Sequence, residues 1–177
     1  MKKIILNYGL LSGGILAAVM LITAQLWTSG KMDMGAGEWV GLGSMVIALS
    51  TVFFGIRTYR DKEAGGVISF GKAFQVGLLI TLIASAIYVA VWMLYTTFGD
   101  GGQFMDQYYQ YSVEQLQKSG KSAAEIEQEI AKMQEFKEMY KNPLVKIGIT
   151  FLEIFPVGLL ISLLSAALLR RKAHQDA

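Results

Sequence analysis

Four long apolar stretches set the strongest limit on how this chain can fold. They cover residues 4–28, 39–56, 73–98 and 144–169, and nearly all of the 16 basic and 14 acidic residues lie outside them. A helix of about 20 apolar residues crosses a hydrocarbon core roughly 30 Å thick, so each stretch can span a membrane. With 53% hydrophobic residues, the sequence predicts one integral membrane domain over residues 1–177, an all-α bundle of four transmembrane helices.

The first stretch has an alternative interpretation. Lys2 and Lys3 precede an apolar run, as they do in a secretory signal peptide. The apolar part of a signal peptide usually has only about 7–15 residues, fewer than this stretch contains. We therefore expect a retained transmembrane helix.

The distribution of Lys and Arg predicts the orientation of the helices, because cytoplasmic segments are enriched in both. Most basic residues that flank the spans fall in three segments: Lys2 and Lys3; Arg57, Arg60, Lys62 and Lys72; and Arg170, Arg171 and Lys172. The linker 30–38 has one base, Lys31, and the loop 99–142 has more acidic than basic residues. Aromatic side chains, which favour membrane interfaces, mark the opposite ends of spans one to three: Trp27, Trp39, Trp92 and Tyr95. Both termini are therefore predicted to be cytoplasmic and the loop 99–142 extracytoplasmic.

The outer loop is predicted to form a helical hairpin over residues 102–142. Aromatic residues at helical spacing give a first helix one apolar face, ending near Ser119 and Gly120: Phe104, Tyr108 and Tyr111. Ser122 precedes Glu125 by three residues, the spacing of a capping box that starts a second helix. The second helix has its own apolar stripe: Ile126, Ile130, Met133, Phe136 and Tyr140. The hairpin can be a folded cap, or it can present a surface to a partner protein.

Several short runs resemble a known family. They are residues 54–61 (FGIRTYRD), 65–74 (GGVISFGKAF), 84–88 (ASAIY) with Trp92, and 151–158 (FLEIFPVG). They are similar to the bacterial membrane family catalogued as domain of unknown function 4199, and the resemblance covers nearly the whole chain. It implies a four-helix protein of the bacterial inner membrane. It implies no activity and no catalytic residues.

Glu153 is the one ionisable residue deep inside a span. At about 1.5 Å per residue from Pro143 it lies roughly 15 Å into the helix, near the membrane midplane. Acids at this depth usually face other helices and often mark an ion or substrate path. Its predicted neighbours at similar depth are hydroxyls: Ser85 and Tyr88 in span three, Ser44 and Ser50 in span two. With no base in reach, a protonated, hydrogen-bonded acid is expected, with either a structural role or a role in proton or ligand handling.

Pro156 follows Glu153 by three residues and lacks a backbone donor for the carbonyl of Leu152. A kink beside Glu153 is therefore expected in span four. Such a kink can serve as a hinge or can be a packing feature that neighbouring helices support.

Small residues recur at intervals of four in two spans: Gly9 and Gly13 in span one, and Gly158, Ser162 and Ala166 in span four. Such runs let helix backbones approach closely. They predict either packing within one chain or a homodimer.

The sequence offers no support for catalysis or for a cofactor. It has no Cys, its one His is His174 in the tail, and it contains none of the common metalloprotease, hydrolase or nucleotide-binding motifs. A net charge of +2 without a basic stripe argues against nucleic acid. Lipid phosphate is a conceivable ligand of the basic loop 57–72, although a solvated hairpin is the simpler interpretation.

Two functions therefore remain open. The first is a non-enzymatic inner-membrane protein whose hairpin contacts an envelope protein. The second is a small transporter, or a transport accessory protein, in which Glu153, Pro156, Ser85 and Tyr88 form an intramembrane site.

Overall fold

The computed structural model describes residues 1–99 and 101–171, with the backbone alone for Met34; Lys172 and His174 lie outside these ranges. Six helices follow one another along the chain: α1 (Lys2–Thr28), α2 (Met34–Lys62), α3 (Phe70–Phe98), α4 (Gly101–Gln117), α5 (Ala123–Met139) and α6 (Pro143–Leu169). The described residues form no β-strand, only an isolated bridge between Ile68 and Arg171. We call the end of the long helices that carries α4 and α5 the loop-helix end, and the opposite end the terminal end.

Four of these helices, α1, α2, α3 and α6, are long and apolar enough to cross a membrane. They coincide with the four predicted spans, but α2 is longer at both ends than the predicted 39–56. The side chain of Asp33 accepts a hydrogen bond from Ala36 N at 3.2 Å and so caps a helix that begins at Met34. At the other end the helix continues to Lys62, where Arg57 pairs with Asp61 one turn later. The apolar run therefore marks the part of α2 suited to lipid, and polar interactions extend the helix beyond it.

The long helices pack most tightly around α3, which contacts α1, α2 and α6. A core at the terminal end joins all four: Ile5, Val52, Ile56, Ile68, Ala73, Val76, Ile80, Ala166 and Leu169. Polar contacts also hold α1 against α2, since the Tyr8 hydroxyl lies 2.9 Å from Thr58 Oγ1 and Ser12 hydrogen-bonds to Thr51. The terminal half of the fold is therefore filled.

Both predicted runs of small residues are used inside the chain. A methyl group at Gly9 would lie 2.7 Å from Cβ of Ile83, and one at Gly13 would lie 2.9 Å from Cβ of Ile87. Gly158 faces Thr81 just as closely. The glycines of α1 and α6 thus bring both backbones against α3, which supports packing within one chain. A homodimer, the alternative use of these runs, remains a prediction.

The capping box predicted for α5 is confirmed: Ser122 and Glu125 hydrogen-bond reciprocally at the start of that helix. Lys137 of α5 lies 2.6 Å from the carboxylate of Asp106 in α4 and so links the two loop helices. The predicted apolar stripe of α5 is only partly covered, because no residue within that helix is buried. Tyr140, at its C-cap, is buried.

Replacing Gly158 by Ala should destabilise the protein, because the added methyl group meets the Thr81 side chain. Overpacking of this kind costs about 1–3 kcal/mol, more than the roughly 0.5–1 kcal/mol that Ala gains over Gly in a helix. Gly148→Ala is the matched control, since the same helix leaves open space at that residue. Thermal unfolding in lipid nanodiscs should show a lower midpoint for Gly158→Ala alone, and equal midpoints would contradict the close contact.

Replacing Ser122 by Ala should weaken the first turn of α5 by about 1 kcal/mol, the usual contribution of an N-cap hydroxyl. Hydrogen bonds from Ser122 hold the pKa of Glu125 below its ordinary value. The stabilisation that these hydrogen bonds give is therefore complete at pH values above the ordinary pKa of Glu125. It is lost as the pH falls through the lowered pKa. Amide hydrogen exchange should rise in residues 123–127 of Ser122→Ala, whereas Ser112→Ala, which loses a hydroxyl in α4, should leave these amides protected.

Candidate functional site

A cavity of about 510 Å³ lies between the long helices at the loop-helix end. Its wall comes from α1, α2, α3 and α6, and residues of α4 and α5 cover it. Seven of its lining residues are aromatic: Trp27, Tyr88, Trp92, Phe104, Tyr108, Phe136 and Tyr140. We call this space the aromatic cavity. Its volume falls within the range of about 300–1,000 Å³ that is typical of small-molecule sites.

Small residues in α2 leave room for the cavity. Gly37, Gly41 and Ser44 face it from the first half of that helix. The Trp27 ring packs directly against Gly37, where no side chain intervenes. Gly37 thus admits the Trp27 ring of α1, and Gly41 leaves open space beside α2.

Phe104 joins the aromatic residues of three helices. Its ring stacks on Trp27 of α1 with 4.9 Å between centroids, and it meets the edge of Trp92 of α3 at 5.3 Å. The ring of Tyr108, one turn later in α4, stacks on Phe104 at 6.5 Å. These contacts confirm that Phe104 and Tyr108 share the inner face of α4, and they fix α4 over the cavity.

Polar groups occupy defined points of the mostly apolar wall. The hydroxyl of Tyr88 is a hydrogen-bonding neighbour of the Glu153 carboxyl. The indole N–H of Trp92 donates to the Tyr140 hydroxyl at 2.7 Å, and Tyr140 also interacts with the Thr150 side chain. Burial raises the pKa of Tyr140, so its hydroxyl stays protonated at neutral pH. The buried indole N–H of Trp27 has no acceptor among the residues that the structure describes.

The structure brings together only two of the four residues predicted for an intramembrane site. Glu153 and Tyr88 both line the cavity. Ser85 is fully buried elsewhere, and within the described chain its hydroxyl has no hydrogen-bond partner. Pro156 is exposed and does not line the cavity, and helix α6 runs through it without a break.

Of the two serines predicted beside Glu153 from span two, Ser44 lines the cavity but donates to Gly41 O of its own helix at 2.7 Å. Ser50 is exposed and likewise donates within its helix, to Ile47 O.

The charged residues in the wall are both acidic. Glu38 and Glu153 line the cavity, and no Lys, Arg or His does. Neither carboxylate belongs to an ion pair in the described part of the chain. Within residues 1–99 and 101–171, no three His, Cys, Asp or Glu side chains come together in a way that could hold a metal ion. The site is therefore suited to binding an organic molecule by apolar contact, hydrogen bonding and negative charge.

Sequence reasoning missed Glu38 and the joint role of the aromatic residues. Glu38 was placed in the linker before span two, but the Asp33 cap draws it into the first turns of α2. The sequence signal was the capping residue Asp33 itself, three residues before Ala36 and directly before a glycine-rich helix start. Trp27 and Trp92 were interpreted only as interface markers, yet both also line the cavity.

The Trp92–Tyr140 hydrogen bond should couple α3 to the end of α5. Tyr140→Phe leaves the buried indole N–H unpaired, which costs about 1–3 kcal/mol of stability. Removing both partners costs less than the sum of the two single changes. We expect a double-mutant cycle of Tyr140→Phe and Trp92→Phe to give a coupling energy of about 1 kcal/mol in denaturant unfolding. In the control cycle, Tyr109→Phe, which removes a tyrosine hydroxyl from α4, takes the place of Tyr140→Phe. Additive effects of the two changes would show that the hydrogen bond contributes nothing.

Comparison with known proteins yields one family. The family described as Protein of unknown function (DUF4199) matches residues 7–171, which is most of the chain. Neither the curated proteins nor the solved structures include a match.

Proposed function

The chain belongs to the DUF4199 family of proteins of unknown function, and we propose that it is a non-enzymatic membrane protein that binds a small apolar or amphipathic molecule in the aromatic cavity. The observation that carries this proposal is the cavity itself, about 510 Å³ of space walled by seven aromatic side chains and containing Glu153. An apolar wall with a few defined polar groups is the usual composition of a small-molecule site.

The ligand is proposed to enter from the lipid. Five lining residues are exposed and mark where the cavity opens: Glu38 and Leu42 of α2, Tyr108 of α4, Phe136 of α5 and Glu153 of α6. Other apolar side chains of α2 are exposed beside this opening, Trp39 at 75% and Val46 at 50%. Side chains of this kind favour lipid over water, so a molecule dissolved in the membrane can reach the cavity.

Glu153 and Tyr88 are proposed to bind the polar part of the ligand. Glu153 lies on α6 and Tyr88 on α3. Each can give up its hydrogen bond with the other and bind a ligand instead. An acid at this depth is costly to keep in a membrane, which favours a role for it beyond packing. Pro156 and Ser85 are left out of the site, because neither lines the cavity.

We propose an orientation in the bacterial inner membrane with both termini in the cytoplasm and α4 and α5 outside. The basic residues at the terminal end support it: Lys2, Lys3, Arg57, Arg60, Lys62, Arg170 and Arg171. The cavity then lies in the outer half of the membrane.

The orientation can be tested with single cysteines, since the chain has none of its own. Ser119→Cys, between α4 and α5, should react with a membrane-impermeant maleimide in intact spheroplasts. Ala64→Cys, between α2 and α3, should react only after lysis. Labelling of both positions in intact spheroplasts would overturn the proposed orientation.

Ligand binding can be tested through the tryptophans. Trp39→Phe removes the exposed tryptophan and leaves Trp27 and Trp92, which both line the cavity. In this background, 1-bromodecane in nanodiscs should quench the fluorescence with a saturable component, because bromine atoms held in the cavity quench by direct contact.

Two further substitutions in α1 distinguish the cavity from bulk lipid. Ala24→Phe places a ring in the cavity and should abolish the saturable component of the quenching. Ala18→Phe, on the exposed face of the same helix, should retain that component. Quenching that rises in proportion to bromodecane in all three proteins would refute the proposal.

A second candidate function is contact with an envelope protein through the loop helices. The favouring observation is that α5 has no buried residue and exposes Phe136 at 41% and Met139 at 49%. Cross-linking from Ser119→Cys in intact cells would detect such a partner, and its absence would leave ligand binding as the sole function proposed.

A further inference from the structure

From the charges and rings of its wall, we propose that the aromatic cavity selects organic cations with a large apolar body. This inference rests on the proposed ligand-binding function and adds the chemical class of the ligand. It concerns the sign of the ligand's charge, which an apolar cavity alone does not decide.

The wall contains two acidic side chains and no basic side chain. Glu38 of α2 and Glu153 of α6 both line the cavity, and neither carboxylate is ion-paired in the described part of the chain. Glu153 lies inside a membrane-span candidate, where an unpaired carboxylate is costly, and a cation bound beside it removes much of that cost. An anion would add like charge and raise the cost.

The nearby lysines do not neutralise the wall. The Lys146 ammonium lies over the Tyr140 ring, 5.4 Å from its centre, and donates to Thr96 Oγ1 at 3.3 Å. Lys137 is held by Asp106 at 2.6 Å. Neither side chain lines the cavity, so a ligand in it meets two acids and no base.

The aromatic rings supply a second, independent attraction for cations. The face of an aromatic ring carries partial negative charge, and a cation within about 6 Å of its centre is bound by about 0.5–2 kcal/mol. Trp27, Trp92 and Phe104 meet at one point of the wall, with centroids 4.9 and 5.3 Å apart. Because Trp27 and Phe104 stack on each other, a cation would bind against the ring faces that remain open to the cavity.

Size favours a bulky cation over a metal ion or a simple ammonium. A cavity of about 510 Å³ would leave a small ion mostly in contact with water. The described residues also provide no cluster of three acidic or metal-binding side chains. A ligand with several apolar or aromatic groups around one positive centre fills the space and meets both the rings and the acids.

The test compares two ions of nearly the same shape and opposite charge, tetraphenylphosphonium and tetraphenylborate. Each ion is added to the Trp39→Phe protein with 1-bromodecane bound, in nanodiscs of zwitterionic lipid. The loss of the saturable quenching measures displacement of bromodecane. Tetraphenylphosphonium should displace bromodecane at concentrations at least tenfold below those needed for tetraphenylborate. Glu153→Gln should raise the concentration of tetraphenylphosphonium required by about tenfold, which removes most of its advantage over tetraphenylborate.

Glu127→Gln, which removes the same charge from an exposed site on α5, controls for net charge and should behave like the parent. Equal displacement by both ions, or an equal effect of Glu127→Gln and Glu153→Gln, would overturn the charge selectivity while leaving the cavity as a ligand site. Absence of saturable bromodecane quenching would instead overturn the proposed function itself.

Discussion

The close approach of α1 and α6 to α3 is the contact on which the rest of the structure depends. Glycines make it possible, Gly9 and Gly13 from one side and Gly158 from the other. In a membrane the hydrophobic effect gives helices little reason to associate, so tight van der Waals packing between small residues has to hold them. The hydrogen bond from Thr81 to the Gly158 carbonyl, at 3.3 Å, adds a buried polar contact at the same place.

The position of α2 follows from that contact. The terminal half of α2 contributes Val52 and Ile56 to the core shared by all four long helices, whereas its first half has glycines facing α1 and α6. The helices therefore share one core at the terminal end, and the cavity opens beside a second core that includes Leu49, Ala84 and Ile154. The aromatic residues of α4 cover that space without filling it, because Phe104 rests on the rings of Trp27 and Trp92. A tightly packed half thus supports an open half, as a binding site requires.

The helices could be predicted from sequence, whereas the cavity could not. Runs of apolar residues predicted the four long helices, and the Ser122–Glu125 spacing predicted the start of α5, because both are local patterns. The cavity depends on the absence of side chains at Gly37 and Gly41. The sequence does not show whether a neighbouring side chain fills the space that a glycine leaves. Glu153 was identified because an acid in a span is rare, and its neighbour Tyr88 because both lie at the same depth. Glu38 escaped notice because the polar cap that makes it part of α2 lies outside the apolar run.

We infer that an open cavity, and not a filled core, lies beside α1 at the loop-helix end. Met20 and Ala17 of α1 are equally buried, each at 8% exposure, but only Met20 lines the cavity. The direct measurement is the rate at which a small uncharged maleimide labels single cysteines at these two positions in nanodiscs. We expect Met20→Cys to be labelled at least tenfold faster than Ala17→Cys. Equal protection of both cysteines would show a filled core and would contradict it.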